Sequence, residues 1–163
     1  EVFGMEFTLI RIDDRLIHGQ VALGWSRSKG INYILAVDDE TAKNALQCSL
    51  LKMATPPGVK SSIVGVDKAE EILSSGKLEK KKVMLLTKGV DTLLQLKEKG
   101  IDICEVNVGN LRSKEGKKIL DIVYLSDHEI EVFKTLSAEG VKFYVQSLPD
   151  QPITDFNQVL DTL

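Results

Sequence analysis

Short apolar runs rich in β-branched residues alternate along this chain with longer segments of helical period, and no other feature restricts the fold as much. Such βα repeats bury both kinds of element only when the strands lie parallel and the helices cover the sheet. Strands are expected at 6–12, 33–37, 61–66, 82–86, 103–106, 119–124 and 142–147, and helices at 19–28, 40–53, 68–74, 92–99 and 128–139. The expected class is therefore α/β, an open, mostly parallel sheet of about six to seven strands with helices on both faces. Asp39, Asp67 and Asp91 stand where N-caps belong, and Ser126-Asp127-His128-Glu129 has the spacing of a capping box. Gly76, Gly100 and Gly140 stand where helices would close.

Two places break the alternation. Pro56-Pro57-Gly58 reads as a rigid turn. The segment 109–118 has no helical period and reads as a loop, which makes the sixth strand a candidate for antiparallel pairing near the C-terminal part. Residues 149–163 form a polar tail, and Phe156, Val159 and Leu160 within it suggest a short helix. With 163 residues the chain fits one domain with a sizeable core. Met5 reads as a natural start, so residues 1–4 are left out of the fold reasoning.

The net charge of −3 supplies no general field for nucleic acid or anionic lipid, and Lys80-Lys81-Lys82 reads as a solvated strand entry. Cys48 and Cys104 match neither a metal-ligand spacing nor a redox pair and are expected to be reduced, buried thiols of a cytosolic protein. No spacing suggests a metal or another cofactor. No apolar run approaches the roughly 18–20 residues that span a bilayer, and the N-terminus lacks a signal-peptide plan. A cytoplasmic protein is expected, acting on any membrane process from that side.

In open α/β sheets, ligands bind beyond the carboxyl ends of the strands. That edge would gather Asp13 to Gln20, Asp38, Asp39, Thr87, Lys88 and Asn107. Within the run Asp13-Asp14-Arg15-Leu16-Ile17-His18-Gly19-Gln20, the imidazole of His18 is a nucleophile near neutral pH once an acceptor fixes its other nitrogen. Asp13, Asp14 or a backbone carbonyl could be that acceptor. Arg11 and Arg15 offer planar forks for phosphate oxygens, and a helix starting at Gly19 would point the N–H groups of Gly19, Gln20 and Val21 at an anion. The residues alone leave two readings open: a phosphate-handling site, or a capping histidine on a packed loop. His128, at the start of an amphipathic helix, reads as structural; Trp25 and Phe133 read as core, and Asp38-Asp39-Glu40 as a helix cap.

The stretch Ile10-Arg11-Ile12-Asp13-Asp14-Arg15-Leu16-Ile17-His18-Gly19-Gln20-Val21-Ala22 closely resembles the active-site loop of the IIB components of mannose/fructose/sorbose-type sugar phosphotransferase systems. Asp39-Glu40, Ala54-Thr55-Pro56-Pro57-Gly58-Val59, Val83-Met84-Leu85-Leu86 and Val106-Asn107-Val108-Gly109 also resemble that family, in its order. The resemblance implies a phosphotransferase subunit whose His18 takes a phosphoryl group from a phosphohistidine of the IIA partner and passes it to a sugar carried by the membrane IIC and IID components. It implies that Arg15 and the loop N–H groups stabilise the phosphoryl group, that Asp14 orders the loop, and that the subunit associates peripherally with the transporter, often as a homodimer. Some members carry a basic residue near position 47, where this chain has Gln47, with Lys43 as a substitute.

Two rival classes compete. A receiver-like domain would accept phosphate on aspartate and use the Asp13-Asp14 pair and Thr87 around Mg²⁺, but it wants a lysine where Asn107 stands and gives His18 no task. A nucleotide-binding module lacks a glycine-rich phosphate loop after the first strand.

Overall fold

The computed structural model describes residues 5–163. The reading of residues 1–4 as standing apart from the fold lies outside the described residues. The elements run β1 (Leu9–Ile12), α1 (Gly19–Lys29), β2 (Tyr33–Val37), α2 (Asp39–Ala42), α3 (Ala45–Met53), β3 (Lys60–Val64), α4 (Val66–Ser74), β4 (Val83–Thr87) and α5 (Val90–Glu98). They continue with β5 (Glu105–Val108), β6 (Leu111–Arg112), β7 (Lys117–Leu120), β8 (Val123–Leu125), α6 (Asp127–Ala138), β9 (Lys142–Val145), β10 (Thr154–Asp155) and α7 (Phe156–Asp161). Seven strands form the main sheet in the order β10-β9-β5-β1-β4-β2-β3. All its pairings are parallel except β10 against β9, so the antiparallel strand at the C-terminal end lies in the tail.

Strand alternation divides the core. Ile10, Ile12, Leu35, Val37, Val83 and Leu85 face the layer formed by α4, α5, α6 and α7, while Leu9, Ile34, Ala36, Met84 and Leu86 face α1. Phe133, Phe143 and Phe156 meet edge to face, with centroids 4.9 and 5.3 Å apart, and fasten α7 to α6 and β9. Trp25 lies on the buried face of α1 and donates from Nε1 to Ser147 O at 3.1 Å. The chain leaves β1 toward β2 on one side but steps from β4 over β1 to β5 on the other. This change of direction opens a crevice at the carboxyl end of β1.

Several local expectations needed correction. The single helix at 40–53 is two, because the Asn44 side chain accepts from Gln47 N at 3.0 Å and starts α3 afresh. Asp38, not Asp39, caps α2. Asp39 instead reaches across to accept from Val66 N at 2.8 Å, supplying the cap that Gly65 cannot. Asp67 and Asp91 lie within the first turns of α4 and α5, whose N-caps are glycines. The capping box at Ser126 and Glu129 forms, and Gly76, Gly100 and Gly140 adopt φ of 80°, 93° and 98°.

The sixth strand is a hairpin of β7 and β8, and it pairs with β6 in a separate three-stranded sheet. Residues 109–118 are thus not a plain loop, since β6 lies within them. Cys48 is half-buried and Cys104 exposed, contrary to the expected burial; Cys104 stands at the entry to β5, ahead of the covered part of the strand. Among the described residues no helix is long and apolar enough to cross a membrane.

Candidate functional site

The last residues of β1 carry charge into the interior. Alternation turns Arg11 to the α1 face, where its side chain is 1% exposed, and its guanidinium lies 5.6 Å from the Trp25 ring centroid. Arg11 Nη1 donates to Asn107 Oδ1 and, at 3.0 Å, to Gln146 O, while Nη2 donates to Asp13 Oδ2 at 2.9 Å. Asp13 is wholly buried and also accepts from Arg15 N at 3.0 Å, Arg15 Nε at 2.9 Å and Arg15 Nη2 at 2.8 Å. Burial by itself would push this carboxyl up. The Arg15 hydrogen bonds and the Arg11 charge outweigh it and hold Asp13 below the usual carboxylate value. Burial draws the Arg11 guanidinium down, whereas the hydrogen bond to Asp13 draws Arg15 up.

Beyond Asp13 the backbone turns sharply, with Leu16 N donating to Asp13 O at 2.9 Å. Leu16 takes φ of 57°, the left-handed region that costs a non-glycine residue about 1–2 kcal/mol. Burying its side chain beside Ile17, Trp25 and Leu86 returns about 1.5–3 kcal/mol, so packing outweighs the strain. The residue that follows this buried pair, His18, stands at the surface. It is the N-cap of α1, with extended backbone and no capping bond from its ring. The first α1 hydrogen bond runs from Ala22 N to His18 O at 2.8 Å, so the N–H groups of Gly19, Gln20 and Val21 precede the ladder at the positive end of the helix.

Asp14 points the other way. Its oxygens accept from Asn110 Nδ2 at 2.9 Å and Arg112 N at 2.7 Å, and Asp14 N donates to Asn110 O at 2.9 Å, tying the loop to β6. The acceptor left open for the His18 ring is thus neither aspartate: among the described residues no side-chain bond reaches the ring, and both carboxylates are engaged elsewhere. The same engagement deprives a receiver-like cation pocket of free carboxylates.

Arg15, His18, Gly19 and Gln20 are exposed together at the carboxyl end of β1, and the Arg15 side chain is 36% exposed. Arg11, expected among the phosphate-binding groups, is instead sealed inside with its forward donors occupied. Beside Arg15 lies a cavity of about 220 Å³, bordered by Asp14, Leu16, Thr41, Gln47, Leu50 and Lys88. Lys43 does not line it. Thr87 is buried and donates to Gly89 O at 3.1 Å. The wall formed by α3 has no buried residue; Leu46, Leu50 and Met53 are 70%, 55% and 81% exposed at helical spacing. A larger cavity of about 860 Å³ lies away from this loop, over β9 near Tyr144 and Ile153, and neither His18 nor Arg15 lines it.

Gln146, Asn110 and Arg112 were not legible in the sequence as partners of this loop, nor was the division by which Asp13 holds the two arginines and Asp14 ties the loop to β6. Asn107 and Gly109 lie in the Val106-Asn107-Val108-Gly109 run, a signal that could have pointed to the Arg11 contacts. A backbone carbonyl such as that of Gln146 leaves no signal at all.

A family model described as "PTS system sorbose subfamily IIB component" matches residues 7–162. The chain is 35% identical over 158 residues to a "PTS system sorbose-specific EIIB component" of Lacticaseibacillus casei, covering 96% of each protein. It is 36% identical over 149 residues to the "PTS system mannose-specific EIIAB component" of Escherichia coli strain K12, covering 91% of this chain but 46% of that protein. The chain therefore spans about half the length of the mannose-specific EIIAB relatives it matches. Its fold is similar to the crystal structure of the IIBSor domain of the sorbose permease from Klebsiella pneumoniae, with a TM-score of 0.91 and 29% identity over 97% of this chain and 98% of that one. The matched family model and the shared fold both span almost all of the structure that places His18 at the head of α1, and the chain belongs to the family of sorbose-subfamily IIB components of the sugar phosphotransferase system.

Proposed function

We propose that this chain is a phosphohistidine relay: His18 accepts a phosphoryl group from the phosphohistidine of a IIA partner and transfers it to a sugar brought through membrane IIC and IID components. The observation that carries this reading is an exposed histidine at a helix start, with first-turn N–H groups that precede the helical ladder and a half-exposed, anchored arginine three residues upstream. In the first step a lone pair of the His18 ring attacks phosphorus while the donor P–N bond breaks and its electron pair returns to the donor ring. In the second, a sugar hydroxyl attacks, the His18 P–N bond breaks, and the hydroxyl proton is released. Little covalent help is needed, so the site contributes position and charge. Arg15 and the N–H groups of Gly19 and Gln20 are the donors that meet the phosphoryl oxygens, with Asp14 holding the loop.

The exposed Leu46-Leu50-Met53 stripe adjoins the site and suits it for docking the IIA partner, at the cytoplasmic face of the transporter. The test is transfer from phosphorylated IIA protein without Mg²⁺. Wild type should gain an acid-labile phosphate on His18 and His18→Ala should gain none. A hydroxylamine-sensitive phosphate that persists in His18→Ala would overturn the reading in favour of aspartate.

A further inference from the structure

Arg11 is among the largest side chains sealed inside the molecule, and a buried cation is an expensive way to fill space. Its Nε is buried without a partner, so the site is not arranged to satisfy the guanidinium itself. What its other nitrogens do is directional. Nη1 is fixed by Asn107 and the Gln146 carbonyl at the ends of β5 and β9, and Nη2 grips Asp13 Oδ2. Asp13 in turn holds Arg15 by Nε and Nη2, leaving Nη1 of that arginine without a partner among the described residues.

Gly109 makes room for this chain of contacts. Its backbone is outside the left-handed region, yet an added Cβ would lie 2.2 Å from Arg11 Nη2 and 2.8 Å from Asp13 Oδ2. Gly109 N also donates to Ile12 O at 2.8 Å, which presses this backbone onto the end of β1. A side chain is excluded here by the ion pair, not by the turn.

We propose that Arg11 is a positioning residue for phosphoryl transfer: anchored by Asn107 and Gln146, it fixes Asp13, and Asp13 fixes the Arg15 fork so that the free nitrogen of Arg15 meets the phosphoryl group in one place. The proposal rests on the reading of His18 and Arg15 given above. It assigns Arg11 and Gly109 a part in the reaction although neither touches the reacting atoms.

The experiment compares Arg11→Met, Arg11→Lys and Gly109→Ala with wild type, each alone and in an Arg15→Gln background, by the rate of transfer from phosphorylated IIA protein. The Arg15 Nε–H resonance is followed by NMR. In the wild-type background, transfer should slow roughly tenfold to a hundredfold, the cost of a misplaced contact group, and the Arg15 resonance should shift or broaden. In the Arg15→Gln background the same changes should cost nothing further. Unchanged rates, or losses that add to that of Arg15→Gln, would overturn the proposal. Should Arg11→Met not fold, Arg11→Lys keeps the charge but not the fork, and Gly109→Ala keeps both while displacing them, so these two carry the test. Phosphate uptake by His18→Ala, or full activity of Arg15→Gln, would remove the underlying reading instead.

Discussion

Removing the Asp14 carboxylate should loosen the loop by an amount that depends on what replaces it. Asp14 accepts two hydrogen bonds, from Asn110 Nδ2 at 2.9 Å and Arg112 N at 2.7 Å, both linking residues almost a hundred positions apart in the chain. A hydrogen bond to a charged group contributes about 1.5–3 kcal/mol, and the partial exposure of Asp14 puts each near the bottom of that range. Asp14→Ala loses both and should cost about 3 kcal/mol, or roughly 6–12 °C in melting temperature for a domain of this size. Asp14→Asn should cost about 1 kcal/mol or less, since its carbonyl oxygen can keep Arg112 N while the Asn110 amide turns over to accept from the new amide. Urea unfolding followed by circular dichroism measures both, and Asn110→Ala should add nothing once Asp14 is alanine. The reasoning fails if the asparagine variant is as unstable as the alanine one, or if Asp14→Ala lies within about 0.5 kcal/mol of wild type.

Three further outcomes are expected. Asp13 has a folded-state carboxyl below the ordinary value of 3.8, so its stabilisation is complete above that value and is lost as pH falls below it toward the folded value. Asp13→Asn should flatten that acid limb of the stability curve, and an unchanged limb would show that Asp13 is not bound more favourably when ionised. Met53→Glu and Leu50→Glu replace exposed groups and should leave the melting temperature within about 2 °C while raising the Kd for the IIA protein in titration calorimetry; unaltered affinity would place docking elsewhere. Ser126→Ala removes one half of the capping box of α6 and should cost about 1 kcal/mol in urea unfolding, with transfer rates unchanged.

The βα repeat, the capping box at Ser126 and the closing glycines were legible because each depends on local pattern: apolar period, a side chain reaching its own backbone, or a φ that only glycine holds cheaply. The split between α2 and α3 was missed because Asn44 restarts a helix without interrupting the apolar period. The hairpin of β7 and β8 was read as one strand because its turn carries no proline or glycine. At the candidate site, the nearness of His18 to Arg15 at the end of β1 was legible within one short run. The assignments of Arg11 and Asp13 were not, because burial and partners 96 and 135 positions away determine them.

The sequence by itself determined the α/β class and the place of the Asp13–Gln20 run, with its histidine and two arginines, at the carboxyl end of the first strand. These follow from periodicities and functional groups within a few residues of one another, where geometry is nearly fixed by the backbone. Only the tertiary structure decided which charges serve the surface and which serve the interior. Arg11 and Arg15 are four positions apart and chemically alike, yet one is sealed beneath Trp25 and the other meets solvent. That difference arises because β5, β9 and α1 close over one side chain and leave the other at the rim, and long-range packing of this kind leaves no local pattern in the chain.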